Sequence, residues 1–406
     1  MDALGRREAV GAPAADRVLR VKSTAVTSVV LAGGGTAGHV NPLLAVADEL
    51  RAREPEARIL ALGTTTGLEA ELVPERGYRL WPVPRVPLPR RPSVDLLRLP
   101  GRLSAAVKAA EAAIDEIGAQ AVVGFGGYVS TPAYLAARRR GVPVVIHEQN
   151  ARPGLANKLG ARWAARVGAT FPGTPLPGAQ VVGLPLRAEI AQLVSAREAD
   201  PVAARVHAAD ALGLDAGLPT LVVTGGSSGA ASVNAALAGS VEALLRAGIQ
   251  VLHLTGKGKD AAVRAAVEAA TAAGGHEVAR YQVREYLSEM QLALAVADLV
   301  VARSGAGTVC ELAALGVPAV YVPLPIGNGE QRLNAAPLVE AGGGVLVDDA
   351  DLTPAWVAEH VPALLADRPR LDAMASAARA SGVRDGAARV ADLVAEAVAQ
   401  GPGRQA

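Results

Sequence analysis

The sequence predicts an α/β protein of two Rossmann-like domains whose parallel sheets face each other across a cleft. Three observations predict it. A chain of 406 residues is long for one core, so two domains are the natural expectation. Short β-rich runs alternate with alanine-rich helical segments, which implies parallel sheets with right-handed crossovers. One strand, glycine turn, helix design also occurs twice, once in each half. Ser28–Ala32 runs into Gly33-Gly34-Gly35-Thr36-Ala37-Gly38-His39, and Leu221–Thr224 runs into Gly225-Gly226-Ser227-Ser228-Gly229-Ala230. Backbone N–H groups and the helix dipole make such a junction an anion site. Two of them suggest a cleft that handles a phosphorylated donor on one side and another substrate opposite.

Composition narrows the class. Half the residues are hydrophobic and the formal net charge is +1, which fits a soluble globular protein and argues against a general nucleic-acid binder. Aromatics make up only 3%, too few for base-stacking platforms. The single cysteine, Cys310, rules out an internal disulfide and fits a reducing compartment. Residues 1–27 lack the apolar region of a signal peptide and read as a flexible cytoplasmic tail. The uncharged stretches Ala119–Ala137 and Leu218–Val241 contain glycine clusters and polar side chains, so they parse as strand–loop–helix, not as membrane spans.

The first domain is expected over residues 28–187. Its strands are Val29–Ala32, Arg58–Gly63, Ala121–Gly124, Pro143–His147 and Arg166–Ala169. Its helices include Pro42–Arg53, Leu103–Glu116, Thr131–Arg139 and Leu155–Ala164. The chain changes domain at Val182–Arg187, after the Pro/Gly-rich stretch Phe171–Gly178. The second domain, 188–384, has strands Leu221–Thr224, Gln250–Thr255, Val278–Val283, Leu299–Ala302 and Ala319–Val322. Residues 385–406 form a final helix that could return to the first domain. Ligands of open α/β sheets bind beyond the carboxyl ends of the strands, and the motifs all fall there.

Gly33–Gly38 matches a dinucleotide fingerprint, but that fingerprint also wants an acid at the end of the second strand. That strand ends Leu62-Gly63-Thr64, so a nicotinamide cofactor is disfavoured. His39 sits in the first turn of the next helix, where the dipole disfavours imidazolium. It reads equally as a neutral general base facing the cleft or as a histidine packing at the helix start. Gly124-Phe125-Gly126-Gly127-Tyr128 permits close approach of a substrate, or is simply a tight turn. His147-Glu148-Gln149-Asn150 is too polar for a strand end in the core, and hydrogen bonding to a hydroxyl-rich ligand accounts for it better. Arg303-Ser304-Gly305-Ala306-Gly307-Thr308-Val309-Cys310-Glu311 is again strand end, glycine turn, helix start. Glu311 could accept two hydrogen bonds from a ribose diol, or merely face solvent. Cys310 is a small core residue more readily than a nucleophile. Asn328, Glu330, Gln331, Arg332 and Asn334 suit sugar hydroxyls, or line a solvated loop. Asp349-Ala350-Asp351 has the look of a metal–nucleotide element, but its setting before Thr353-Pro354 marks a surface loop, and no metal cluster is expected. Arg79–Leu103 mixes Trp81, Val83, Val86, Leu88, Leu96, Leu97 and Leu99 with Arg79, Arg85, Arg90, Arg91, Arg98 and Arg102. It reads as a surface that docks on an anionic membrane, with an inward-packing interdomain loop as the competing view.

Taken in order, Gly-Gly-Thr-x-Gly-His, Gly-x-Gly-Gly-Tyr, His-Glu-Gln-Asn, Gly-Gly-Ser and Arg-Ser-Gly-Ala…Glu resemble the N-acetylglucosaminyltransferase family of peptidoglycan synthesis. The resemblance covers nearly all the chain beyond the tail. It implies a GT-B fold, no cofactor and no metal in catalysis. It implies UDP-N-acetylglucosamine as donor, held mainly by the second domain. The implied acceptor is undecaprenyl-diphosphate-linked muramoyl pentapeptide, met by the first domain at the cytoplasmic membrane face. It also implies a peripheral location there, with cell-wall synthesis or division proteins as partners. By the same resemblance Thr36, Ala37 and Gly38 meet the donor, Asn150 its sugar, and Arg187 and Ser227 its diphosphate. Leu287 meets uracil through its backbone. Ala306, Gly307, Thr308, Val309, Cys310 and Glu311 line nucleotide and sugar, with Glu311 on ribose. Gln331 meets sugar hydroxyls, and His39 matches the base. Three positions depart from the family pattern: Ser228 stands for glutamine, Leu184 for asparagine and Ala37 for glycine.

Overall fold

The computed structural model describes residues 25–86, 95–226, 228–274 and 280–401. The first lobe runs β1 (Ser28–Gly33), α1 (Ala37–Arg53), β2 (Arg58–Gly63), α2 (Glu69–Glu75), β3 (Arg79–Pro82), α3 (Asp95–Ile117), β4 (Ala121–Gly126), α4 (Ser130–Arg140), β5 (Val144–Glu148), α5 (Leu155–Gly160), β6 (Arg166–Ala169) and β7 (Ala179–Val181). Its seven strands are all parallel, in the order β3-β2-β1-β4-β5-β6-β7. The central strand β1 is buried from end to end. Val29 and Leu31 face one hydrophobic cluster and Val30 and Ala32 the other, so the period-2 alternation feeds two helical layers.

The second lobe runs α6 (Ala188–Ala199), α7 (Pro201–Leu212), β8 (Thr220–Thr224), α8 (Ala231–Ala238), α9 (Val241–Arg246), β9 (Gln250–Leu254), α10 (Ala261–Gly274), β10 (Tyr281–Arg284), α11 (Met290–Val296), β11 (Leu299–Ala302), α12 (Ala306–Leu315), β12 (Ala319–Tyr321), α13 (Glu330–Glu340), β13 (Gly344–Leu346), α14 (Pro354–Ala366) and α15 (Arg368–Ser381). Its parallel sheet has the order β10-β9-β8-β11-β12-β13. Val222 faces one core cluster while Leu221 and Val223 face the other, repeating the layering of the first lobe.

The last helix, α16 (Gly386–Gln400), crosses back and packs on α1 and on the first sheet. Val390, Leu393, Val394 and Ala397 join the cluster that holds Val29, Leu31 and Val40. Arg53 reaches Asp392 at 2.6 Å and Arg166 reaches Glu396 at 2.8 Å. Both acids are largely exposed, so the apolar seam contributes most of the attachment. The two chain crossings between lobes pack on each other. A Cβ at Gly183 (φ +77) would strike Val383, and one at Gly386 would lie 2.5 Å from the Leu184 carbonyl.

Several boundaries differ from the sequence expectation. α1 starts at Ala37, five residues before Pro42, so the proline lies in its second turn and leaves the Gly38 carbonyl without its helical N–H. α3 starts at Asp95 and carries Pro100 in the same way. α5 stops at Gly160, which packs where a Cβ would meet the Tyr134 ring. The edge strands β3, β7 and β13 were not expected: each has three or four residues and partly exposed side chains, so none carries a strong apolar signal. Of the strand expected over Val278–Val283, residues 278 and 279 lie outside the described residues, and the strand described is Tyr281–Arg284. Residues 1–24 of the tail also lie outside the described residues.

Truncating Leu393 to alanine empties a fully enclosed site in the seam. It is expected to cost about 2–5 kcal/mol, read from urea denaturation, despite its distance in sequence from the lobe it stabilises.

Candidate active site

The strand ends of both sheets converge on one cavity of about 1140 Å³. From the first lobe it is lined by Thr36, Ala37, Gly38 and His39, by Gly126-Gly127-Tyr128, and by Glu148, Gln149 and Asn150. Arg187 stands at the crossing. Gly305, Ala306, Gly307, Thr308, Glu311, Glu330 and Gln331 come from the second lobe. A smaller cavity of about 170 Å³ opens beside it in the second lobe, walled by Thr224, Gly226, Tyr286 and Leu287, and it shares Arg187, Thr308 and Glu311.

His39 is half-buried in the first turn of α1. Its Nδ1 lies 2.9 Å from the Thr36 hydroxyl. Its ring edge lies against Gly126 (φ +95), where a Cβ would come within 3.1 Å of both Cδ2 and Nε2. Burial lowers its pKa, partly offset by the Gly34 backbone and by the negative charge of Glu69. The imidazole is therefore held neutral at the cavity wall.

The first glycine turn holds a group that motif reading missed. Glu69 is fully buried, at 0% exposure. One carboxylate oxygen accepts from Gly35 N–H at 3.1 Å. The other accepts from Thr64 N–H (3.1 Å), the Thr64 hydroxyl (2.9 Å) and the Tyr128 hydroxyl (2.5 Å). Burial alone would raise its pKa, but the bonds from Tyr128, Thr64 and Gly35 outweigh that and hold it down at about 2. The first turn is thus an anion site, as expected, but its anion is internal. The acid sought at the end of the second strand lies five residues past Thr64 and points into this turn. In sequence Glu69 is one of three acids in Glu69–Glu75, and nothing local sets it apart from Glu71.

The polar run after β5 divides by face. His147 is fully buried and its Nε2 meets the Gly183 carbonyl at 2.9 Å, bracing the interlobe crossing. Burial drives its pKa down to about 4. Glu148 accepts from Asn150 N–H, Gly154 N–H and the Asn157 amide, at 2.9, 3.0 and 2.9 Å, and so shapes the following loop. The expectation that all four side chains meet a ligand is corrected for His147, which faces away from the cavity. Asn150 lines the cavity and its Oδ1 accepts from Asn334 at 3.2 Å. Asn334, buried on α13, also accepts from Ala151 N–H at 2.8 Å, and Arg152 donates to the Asn328 carbonyl. These bonds join the lobes directly.

Arg187 and Glu311 form a bidentate pair, Nε to Oε1 at 2.8 Å and Nη2 to Oε2 at 3.0 Å. Both face both cavities. Val309 and Cys310, just before Glu311 on α12, turn toward the core, Val309 within it and Cys310 packed against it, and burial pushes the Cys310 thiol up. Gln331 lines the large cavity and accepts from Leu324 N–H at 3.0 Å. Leu287 lines the small one. Ser227 lies outside the described residues. Around it, Gly226 N–H donates to the Thr224 hydroxyl at 3.1 Å and Lys259 donates to the Ser228 carbonyl at 2.7 Å. Asp349 is held by Arg303 at 2.5 Å and by Ser232 at 2.7 Å, in an ion pair within the second lobe.

The segment 79–103 packs inward more than its composition suggests. Val83 and Val86 are buried, and Leu99 and Leu103 pack on the same cluster. Arg79 pairs with Glu116, and Arg85 lies over the Tyr128 ring. These apolar residues do not form an exposed sheet-side patch. Residues 87–94, with Leu88, Arg90 and Arg91, lie outside the described residues. Among the described residues no helix is long and apolar enough to cross a membrane.

Comparison with known proteins is decisive for the family. Residues 29–169 match the glycosyltransferase family 28 N-terminal domain, and residues 220–390 match the family's C-terminal domain. This chain belongs to glycosyltransferase family 28. A UDP-N-acetylglucosamine–N-acetylmuramyl-(pentapeptide) pyrophosphoryl-undecaprenol N-acetylglucosamine transferase of Clavibacter sepedonicus is 55% identical over 94% of this chain and 99% of its own. The protein of the same name from Paenarthrobacter aurescens is 54% identical over 91% and 96%. Among solved structures, MurG of Acinetobacter baumannii superposes with a TM-score of 0.71 at 30% identity, covering 91% of this chain and 99% of that one. The architecture is GT-B, as the sequence predicts.

His147 and His253 both stay neutral in the fold, each with its pKa lowered to about 4. The unfolded chain takes up these protons first, so stability is expected to fall as pH drops from 6.5 toward 4, by up to about 1.4 kcal/mol per pH unit for each histidine. Urea titrations at several pH values check this. His147→Gln, which keeps a donor for Gly183, is expected to flatten the slope.

Proposed function

We propose that this protein transfers N-acetylglucosamine from UDP-N-acetylglucosamine to the 4-hydroxyl of undecaprenyl-diphosphate-linked N-acetylmuramoyl pentapeptide, with inversion, in peptidoglycan synthesis. The observation that carries this reading is the 55% identity, over 94% of the chain, to a transferase named for that reaction. The geometry supports it. In this reading residues 28–187, with the returning 385–406, form the acceptor lobe, and residues 188–384 form the donor lobe.

His39 takes the proton from the attacking hydroxyl. Its neutral state and its place on the cavity wall suit a base that works near neutral pH. The uracil enters the small cavity beside Leu287, and Glu311 takes the ribose hydroxyls. Arg187 and Ser227 stabilise the charge gathering on the leaving diphosphate. Asn150 and Gln331 hold the sugar, with Thr36, Ala37, Gly38 and the first turns of α12 around the donor. Bonds through Asn334 close the lobes and exclude water from the donor. The segment 79–103 docks the protein peripherally on the anionic cytoplasmic membrane face through its basic residues, Arg90, Arg91 and Arg98 among them. Cell-wall synthesis or division proteins are its partners there.

Incubation with labelled UDP-N-acetylglucosamine and a short-chain acceptor analogue is expected to give the disaccharide lipid, and to do so in excess chelator. No product would contradict the substrate assignment. His39→Ala is expected to lower kcat by roughly 10²–10⁴ with the fold intact; wild-type turnover would remove His39 from the mechanism. Glu311→Ala is expected to weaken donor binding more than acceptor binding, by calorimetry. Replacing Arg90, Arg91 and Arg98 with serine is expected to reduce sedimentation with anionic liposomes.

A further inference from the structure

Three glycines, Gly34 of the first glycine turn with Gly63 and Gly67, surround one side chain. A Cβ at Gly34 would lie 2.9 Å from Glu69 Oε1, and Cβ atoms at Gly63 and Gly67 would also strike Glu69. On the other side, a Cβ at Gly35 (φ +87) would lie 2.9 Å from the Tyr128 ring, and one at Gly127 would strike the Gly34 carbonyl. The chain has given up side chains at these positions to make room for a carboxylate and the tyrosine that binds it.

A glycine-rich turn left to itself is conformationally loose. Here it leads straight to His39. Gly35 N–H is tied to Glu69 at 3.1 Å. The next residue, Thr36, accepts His39 N–H on its carbonyl at 3.0 Å and holds His39 Nδ1 with its hydroxyl at 2.9 Å. A buried carboxylate is tolerated only when its lone pairs are answered, and four donors answer this one. A phosphate in this turn would compete with Glu69 for Gly35 N–H and meet its negative charge, so Gly34 and Gly35 are not free to cradle the donor's diphosphate.

We propose that Glu69 is a positioning residue for the transfer: its carboxylate fills the first glycine turn from within and fixes the backbone that presents His39 to the cleft. Tyr128 and Thr64 complete the clamp by spending their donors on the same carboxylate. This inference rests on His39 as the base. It differs from a purely structural role in acting through His39 and not through the donor lobe.

The test compares kcat, both KM values and calorimetric UDP affinity for wild type, Glu69→Gln, Tyr128→Phe and His39→Ala, together with the double variant Glu69→Gln/His39→Ala, all as full chains. Glu69→Gln keeps the volume but turns an N–H₂ toward groups that are themselves donors. Its kcat is expected to fall roughly 10- to 100-fold, while UDP affinity stays within about twofold of wild type. In the His39→Ala background the same change is expected to cost less than about threefold, because the group being positioned is already gone. Tyr128→Phe removes one donor and keeps the charge; its kcat is expected to fall several-fold, and it carries the test should Glu69→Gln fail to fold by circular dichroism. Wild-type kcat in both variants would overturn the proposal. So would a full, additive loss in the His39→Ala background. Wild-type turnover in His39→Ala alone would instead sink the base assignment, and any loss in Glu69→Gln would then belong to another group and overturn the positioning role too.

Discussion

The two crossings between lobes, at Gly183-Leu184 and at Val383 to Gly386, lie so close that neither glycine could carry a side chain. This contact sets how the two sheets meet. His147 braces it from β5 through the Gly183 carbonyl, and α16 leaves it to seal the first core. With the crossings fixed, the strand ends of both sheets open on one cavity. Residues from positions 36 to 331, far apart in sequence, then become neighbours.

The two halves share one sequence design and use it differently. In the second lobe the turn after β8 borders a small cavity, alongside Arg187 and Glu311. In the first lobe the equivalent turn is filled by Glu69. The same kind of turn wraps an internal carboxylate in one lobe and borders the smaller cavity in the other. That asymmetry fits a donor held by one lobe and a base presented by the other.

Much of this was legible in sequence. The buried runs Val29–Ala32 and Leu221–Thr224 gave the central strands because both faces are covered and no alternation blurs them. Pairing of β1 with β4, and of β8 with β11, is the reversal of strand order found in doubly wound folds. Edge strands such as Ala179–Val181 were not legible, since three half-exposed residues carry little hydrophobic signal. Among site residues, glycine turns and strand-end polar runs pointed to the right loops. They could not say which way each side chain faces. His147 and Asn150 sit three residues apart, yet one braces the crossing and the other lines the cavity. Val309 and Glu311 are separated by helical geometry in the same way. Glu69 escaped because its role depends on a tertiary contact with Gly35 and Tyr128 that no local pattern encodes. In Arg79–Leu103 composition suits a surface or an inward-packing loop, and Val83 and Val86 take the second course, buried in the cluster that holds Ala106 and Val107 of α3.

The bidentate bond between Arg187 and Glu311 ties the account together. Each of these groups is assigned to a different part of the donor, and without donor they satisfy each other. Under the proposed roles, donor binding exchanges one strong charge-assisted contact for two others. A crystal structure with UDP-N-acetylglucosamine bound tests this most directly. The account predicts Arg187 turned from Glu311 to the diphosphate, Glu311 on the ribose, and the anomeric carbon on the His39 side of the cavity. A nucleotide seated in the first glycine turn, with the Arg187–Glu311 pair intact and Glu69 displaced, would contradict it.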